Sequence, residues 1–465
     1  MKQTHKERVA ALAAQVAGFY EQKKPFKIYH GSTNSTRIQV FKRSEMLDAS
    51  GLNHILHIDP KTKTALVEPN VPMDKLVRAT LKHGLIPPVV MEFPGITVGG
   101  GVQGGAGESS SFRYGCFHST CTSYEIITGD GTITNCSPKK HADLFYGTAG
   151  SYGTLGVMTA IELRLIPAKK YVRLTYFPVK SFDAAVSLMQ KEAAKKPDYI
   201  DGIMFARDRG VIMVGSLTNE KAGVVTRFSR ARDERFYLDA EKESHGGIWN
   251  KIIPLTDYLF RYDRGAFWVG KYAFKVFDIP FTKFWRRLLN WMLHTRKLYE
   301  ALQESGMSQH HVVQDLALPV EKAVEFMNFV DNTLGIYPLW LCPLKTDKLS
   351  PFISSNLPTP LVINVGVWGE FIPDYNQFLR ANRSIEKKLT QLGGKKWFYA
   401  HTYYSEEDFW HIYHKNKYQK LRRTYQTSYQ PTVYEKVRVR ERFKLDTHRG
   451  LWRTLFRTAK LRITP

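Results

Sequence analysis

Apolar positions change their spacing along this chain, and the change divides it. Val9, Leu12, Val16 and Phe19 fall on one helical face, which predicts an amphipathic N-terminal helix rather than a cleaved leader. Ile55–Ile58 and Ala65–Glu68 read as strands, and Met73–His83 as a helix with Leu76, Val77 and Thr80 inward. Leu85–Met91 returns as an extended run broken by Pro87-Pro88. Glu125–Thr128 and Thr132–Asn135 flank Asp130-Gly131, the signature of a tight hairpin. Val157–Ile166 is a last alternating strand, stopped by Pro167. Beyond residue 170 the texture changes: strands at Tyr171–Phe177, Val211–Gly215 and Leu361–Val367 mix with helices at Ser181–Lys195, Val320–Thr333 and Tyr375–Leu392. The expected organisation is a first domain over residues 1–169, a second over 170–410 and a basic C-terminal extension over 411–465.

Between the early strands lies Glu92–Gly115, rich in Gly and Ser, with little room for a helix. Gly99-Gly100-Gly101-Val102-Gln103-Gly104 matches the G-x-G-x-x-G dinucleotide fingerprint, with Glu125 further on. That reading needs a helix opening directly after the glycines. Gly105-Ala106-Gly107-Glu108-Ser109-Ser110-Ser111 follows instead, a run of poor helix formers, and the βαβ reading is rejected. The underlying chemistry survives: bare backbone admits close approach, and its amides can form an anion nest. A long tricyclic cofactor with a pyrophosphate fits this segment better than a mononucleotide. The alternative is a mobile glycine loop.

Composition narrows the classes. The chain has 465 residues, 67 Lys and Arg against 43 Asp and Glu, and 13% aromatics, which excludes a disordered polyelectrolyte. Cys116, Cys121, Cys136 and Cys342 form no C-x-x-C pair, so no zinc or thiol-redox centre is expected and the cysteines read as core filler. No run approaches the length of a membrane span. Residues 411–465 hold 15 Lys and Arg against 3 acidic residues, half of the +24 surplus. There Leu451, Trp452, Leu455, Phe456 and Ala459 make an apolar stripe beside Arg449, Arg453, Arg457 and Lys460, a pattern that suits an interfacial helix on anionic lipid or a tail docked on its own domain. The aromatic and basic stretch with Phe267, Trp268, Phe284, Trp285 and Trp291 is read either as lipid-facing or as cap-domain core. Nucleic acid is set aside, because no recognition module accompanies the charge.

The order of pieces resembles the FAD-binding domain of the vanillyl-alcohol oxidase superfamily: His30-Gly31-Ser32-Thr33-Asn34-Ser35, Pro94-Gly95-Ile96-Thr97-Val98-Gly99-Gly100, Tyr114-Gly115, Asp130-Gly131 and Gly153-Thr154-Leu155-Gly156. Gly105–Gly115, Asp143–Tyr146, Ile166–Val172, Gln309–Asp315, Tyr337–Pro343, Gly369-Glu370 and Glu407–Trp410 sharpen it to the delta-24 sterol reductase (Diminuto/seladin) family, over about residues 25–435. The resemblance implies an α+β fold: a two-subdomain FAD-binding (PCMH-type) domain plus an α/β substrate cap. It implies reduction of a sterol or isoprenoid carbon–carbon double bond by FAD, with NADPH as electron donor. The implied FAD-binding residues are Gly31, Ser32, Thr33, Asn34, Ser35, Pro94, Gly95, Thr97, Val98, Gly99, Gly100, Gly104, Gly107, Glu108, Ser109, Ser110, Tyr114, Gly115, Gly153, Thr154 and Gly156. Non-covalent FAD is expected, since Asn34 stands where some superfamily members carry the linking histidine and His30 lies before Gly31. Eukaryotic family members begin with a membrane anchor that has no counterpart here, and the tail after Val437 is unlike the family's short end. A cytoplasmic protein, peripheral on a membrane surface, is the expected setting.

Reducing a double bond needs hydride at one carbon and a proton at the other. His310, His311, Asp315, Glu370, His401, Tyr403 and Tyr404 are the candidates for the proton, with His311, Glu370 and Tyr403 preferred. No metal site is expected. Oxidation of an alcohol or hydroxy acid is the alternative that the same FAD domain supports, and lipid binding without catalysis is the non-enzyme alternative.

Overall fold

In the first domain, five strands between residues 55 and 164 form one antiparallel sheet. The computed structural model of the protein describes residues 3–31, 40–276, 278–372, 374–439 and 462–464. Strands β1 (Ile55–Asp59), β2 (Thr64–Val67), β3 (Cys121–Ile127), β4 (Ile133–Cys136) and β5 (Val157–Arg164) stand in the spatial order β1-β2-β5-β3-β4. The Asp130-Gly131 turn joins β3 to β4, and the Thr128 amide donates to Thr132 O at 2.9 Å. Gly131 has φ +89°, and a Cβ there would lie 2.8 Å from Ala17 Cβ of the N-terminal helix. That helix, His5–Glu21, is started by a Thr4–Glu7 capping box and buries Val9, Leu12 and Val16.

The second domain is built on an eight-stranded antiparallel sheet. Its strands are β6 (Tyr171–Val179), β7 (Tyr199–Ala206), β8 (Arg209–Thr218), β9 (Trp249–Pro254), β10 (His311–Pro319), β11 (Leu339–Lys345), β12 (Leu361–Phe371) and β13 (Lys395–Lys396). Their order is β9-β6-β8-β7-β11-β12-β10-β13. The two-residue period sorts this sheet into two faces. Val312, Leu316, Leu318, Ile363, Val365 and Val367 join the core formed with helices Phe182–Ala194, Val320–Leu334 and Tyr375–Gln391. Residues of the opposite parity, among them Ala317, Val362 and Trp368, join the core shared with the first domain. The chain is thus α+β, with two sheets meeting across one interface.

Two expectations change. Residues 411–439 do not stand apart as an extension; they pack on the first domain. Arg422, buried in helix Lys415–Thr424, donates to the carbonyl oxygens of Thr154 (3.1 Å), Gln430 (2.6 Å), Ser428 (3.3 Å) and Pro431 (3.2 Å). Tyr418 Oη donates to Thr154 Oγ1 at 2.7 Å. Five backbone and hydroxyl acceptors need these donors, so a basic residue here is internal glue rather than surface charge. The strand Arg462–Thr464 also returns, pairing in parallel with Val40–Lys42. The apolar stripe from Leu451 to Ala459 lies outside the described residues. In the aromatic stretch, Phe267 and Trp268 are core, whereas Phe284 and Trp291 are exposed.

Candidate active site

The glycine motif forms the helix that its composition argued against. Val98–Gly104 is helical, capped by Thr97, whose Oγ1 accepts from the Gly100 amide at 3.2 Å, and it ends at Gly105 with φ +63°. Close packing outweighs propensity here. A Cβ on Gly99 would sit 2.6 Å from Pro69 Cβ, and one on Gly101 would sit 2.5 Å from Met91 Cε. On the other side, a Cβ on Gly104 would meet nothing nearer than the Tyr152 ring at 3.9 Å. Gly100 and Gly104 are four residues apart and so share a face. That bare face is turned to a cavity.

The cavity, of about 400 Å³, lies between the domains. The first domain contributes His30, Thr97, Gly99, Gly100, Gln103, Gly104, Gly107, Glu108, Tyr152 and Gly153. The second contributes Phe267, Tyr272, Tyr299, His311, Asp315, Trp340, Trp368 and Tyr399, and the C-terminal region adds Lys436. Of the motif residues, Thr97, Gly99, Gly100, Gly104, Gly107, Glu108 and Gly153 thus line one cavity. Ser32, Thr33, Asn34 and Ser35 lie outside the described residues, and Gly31 is the last residue before them.

The remaining motif residues shape the loops and do not line the cavity. Ser110 Oγ donates to Pro88 O at 2.9 Å, and Pro94 O accepts from the Asp74 amide at 3.2 Å. Val98 is core, and the Gly156 amide donates to Gln430 Oε1 at 3.0 Å. Thr154 Oγ1 donates to Ser151 O at 2.7 Å, and Ser109 Oγ to Glu92 Oε1 at 3.3 Å. Gly115 has φ +78°, and a Cβ there would press on Ser119. Tyr114 lies under the Arg113 guanidinium, and Gly95 is likewise absent from the wall.

Among the proton-donor candidates, strand parity decides. His311, Val313 and Asp315 share the cavity face of β10, whereas His310 precedes the strand and its Nδ1 is 2.9 Å from Ile372 O. Asp315 does not orient His311: they lie four positions apart on the strand, about 13 Å at the usual rise. Its carboxylate instead faces Tyr399 Oη, at 2.5 Å from Oδ2, and Asn364 Nδ2, at 3.0 Å from Oδ1. Tyr403 is not part of this site. Its amide donates to the Glu386 carboxylate at 3.0 Å, because the buried Lys396–Glu386 pair (2.7 Å) holds residues 401–404 against helix Tyr375–Gln391. Tyr403 and Tyr404 line a separate depression with Arg383 and His411, and His401 lines neither. Glu370 belongs to β12, and its side chain lies outside the described part of the structure. Sequence reasoning did not count His30, Tyr152, Tyr399 or Lys436 as site residues; His30 heads the first quoted motif, and Tyr399 stands two residues before His401 in a run already under suspicion.

One buried cation organises the floor. Arg261 Nη2 donates to Glu92 Oε1 at 2.7 Å and to Asp201 Oδ2 at 2.9 Å, and its guanidinium stacks on Tyr258 at 4.2 Å. Burial pushes Glu92 up to about 7 despite Arg261. Glu108 is buried beside Glu92, and burial followed by that like charge holds it well above the carboxylate range. Burial raises Asp315 to about 6, opposed by Tyr399 and Asn364. Burial lowers His30 and His311 to about 4, so both are neutral imidazoles. All four cysteines are buried with raised thiols, and no group of metal-ligating side chains occurs among the described residues.

The family model described as "FAD binding domain" matches residues 6–137. Delta(24)-sterol reductase of Homo sapiens is 31% identical over 461 residues, covering 93% of this chain and 86% of its own. Delta(24)-sterol reductase of Arabidopsis thaliana is 31% identical over 421 residues, covering 82% and 74%. Cytokinin dehydrogenase 9 of Oryza sativa subsp. japonica is 33% identical over 140 residues, only 30% of this chain. Similarity through the second domain therefore separates the sterol reductases from a relative that matches over a much shorter stretch.

Glu108 makes the electrostatics testable. Its folded pKa lies above the unfolded value, so the native state keeps a proton that the unfolded chain releases. Its contribution to stability is complete below the unfolded pKa and declines as pH rises towards the folded one. Glu108→Gln removes that decline. The melting temperature of the variant relative to wild type should climb as pH rises above the ordinary carboxylate range; a difference flat in pH contradicts a buried carboxyl that keeps its proton in the fold.

Proposed function

This chain belongs to the Delta(24)-sterol reductase family and is an FAD-dependent oxidoreductase, and from that premise we propose that it saturates an isolated double bond in a sterol or related isoprenoid lipid, with NADPH as electron donor. The observation that carries the reading is a single cavity with two unlike walls. One is a bare glycine face, and the other is aromatic with a phenol–carboxylate pair set into it.

The residues present fit FAD. Gly100 and Gly104 leave backbone-wide space that a side chain would fill. Lys436, held by Tyr152 O, brings a cation beside Gly153 for a diphosphate. His30 Nδ1 is buried with no hydrogen-bond partner among the described residues, a polar atom in want of one. Thr97, Gly100, Gly104, Gly153, His30 and Lys436 would hold the cofactor, without a covalent bond. When bound and reduced, FAD supplies the hydride.

The chain's own part is to orient the alkene, exclude water and deliver a proton. Phe267, Trp340 and Trp368 give an apolar wall that aligns an aliphatic chain by shape. Tyr399 Oη is the proton donor, with Asp315 behind it: as the phenol gives up its proton, the protonated Asp315 carboxyl restores it. Asn364 Nδ2 fixes the carboxyl orientation. Because Asp315 must be protonated, proton delivery should weaken as pH rises through about 6.

Two expected outcomes follow. Gly104→Ala should leave the apo fold intact and weaken FAD binding roughly tenfold or more, since added helix propensity is favourable and only the cofactor side is crowded; unchanged FAD affinity by fluorescence titration contradicts the cradle. In anaerobic rapid mixing, NADPH should bleach the flavin and a delta-24 sterol should restore it. Tyr399→Phe should slow only the second phase, by roughly 100-fold. Rapid reoxidation by oxygen with no response to sterol would favour alcohol oxidation instead.

A further inference from the structure

Residues 269–299 form a wall with two faces. Inward, Val269 and Tyr272 of helix Val269–Val276 and Leu298 and Tyr299 of helix Thr295–Glu304 line the cavity. Outward, Phe284, Leu288 and Trp291 are 67%, 55% and 52% exposed, within eight residues of chain. Their spacing of four and three places them on one side of helix Lys283–Leu288 and the turn that follows it. Three large apolar side chains together on the surface of a folded domain mark an interaction site rather than incidental exposure.

The charge around them selects the partner. The segment holds seven Lys and Arg and one acidic residue, Asp278. Arg286, Arg296 and Lys297 are neutralised by Glu234, Asp74 and Glu300. Lys271, Lys275, Lys283 and Arg287 are exposed and make no ion pair among the described residues. A second copy of the chain would bring the same uncompensated charge and be repelled. A polynucleotide would satisfy the cations and leave Leu288 in water. An anionic phospholipid surface takes both: the cations sit at headgroup level, and Phe284, Leu288 and Trp291 enter the acyl boundary.

We infer that the outer face of residues 269–299 is a docking surface for an anionic bilayer. The docking surface stands on the structure alone; that it lets a lipid substrate pass from bilayer to cavity rests on the sterol reading above. One continuous segment then serves both ends of that passage.

The test uses the full-length holoenzyme and flotation with phosphatidylcholine–phosphatidylserine vesicles, against pure phosphatidylcholine. Combined Phe284→Ser, Leu288→Ser and Trp291→Ser should weaken binding to the anionic vesicles roughly tenfold or more, and Lys283→Glu with Arg287→Glu should do the same. Flavin content, melting temperature and turnover of a cyclodextrin-solubilised sterol should stay at wild-type values in both variants. Wild-type vesicle binding by both variants overturns the inference. So does binding that is lost only on deleting residues 441–465, or a surface that retains RNA and not vesicles. Because flotation is read without turnover, a failed sterol assay leaves this result standing on its own.

Discussion

Where the two domains meet, Arg261 holds Glu92 of the first and Asp201 of the second through one nitrogen, at 2.7 and 2.9 Å. Three charges removed from water carry a desolvation cost that only good geometry offsets. The geometry is supplied: Tyr262 Oη donates to Asp201 at 2.7 Å, Trp340 Nε1 lies 3.3 Å from the same oxygen, and aromatic rings enclose the guanidinium. Burial, and then the like charge of Glu92, hold Glu108 well above the carboxylate range, and Arg261 opposes this only in part. The clasp fixes the separation of the sheets, and with it the width of the cavity between the glycine face and β10.

Much of this was legible in the chain because it follows from period and order. The glycine clusters come in an order that one flavin domain explains, whereas the strand His311–Pro319 that places His311 and Asp315 on one face was not read from the sequence, where Gln309–Asp315 stood only as a motif. The helix at Val98–Gly104 was hidden because it exists only through packing: Pro69 and Met91 require glycine at 99 and 101, and no local propensity reports that. Tyr399 and Tyr403 are indistinguishable by composition. They part company because Lys396, paired with Glu386, turns the intervening backbone away from the cavity. Lys436 and Arg422 fall within what reads as a basic C-terminal extension, because the acceptors that hold them, carbonyls far away in sequence, are visible only in the fold.

The excess of positive charge accordingly has several homes. Part of residues 411–439 is consumed inside the first domain, where Arg422 satisfies four carbonyls and Lys436 reaches the cavity. Part lies on the outer face of the aromatic segment, away from its own acids. Among the described residues no helix is long and apolar enough to cross a membrane. The docking surface inferred above, on residues 269–299, backs directly onto the proposed site.

The account rests on hydride and proton reaching one double bond within one cavity. Its most direct test is product analysis from a single turnover in D2O, with anaerobically reduced holoenzyme and an equimolar delta-24 sterol. Saturation of the side chain in step with flavin reoxidation, with solvent deuterium at the former double-bond carbons, is the expected result. Flavin that stays reduced over unchanged sterol, and is reoxidised only when oxygen is admitted, would contradict it.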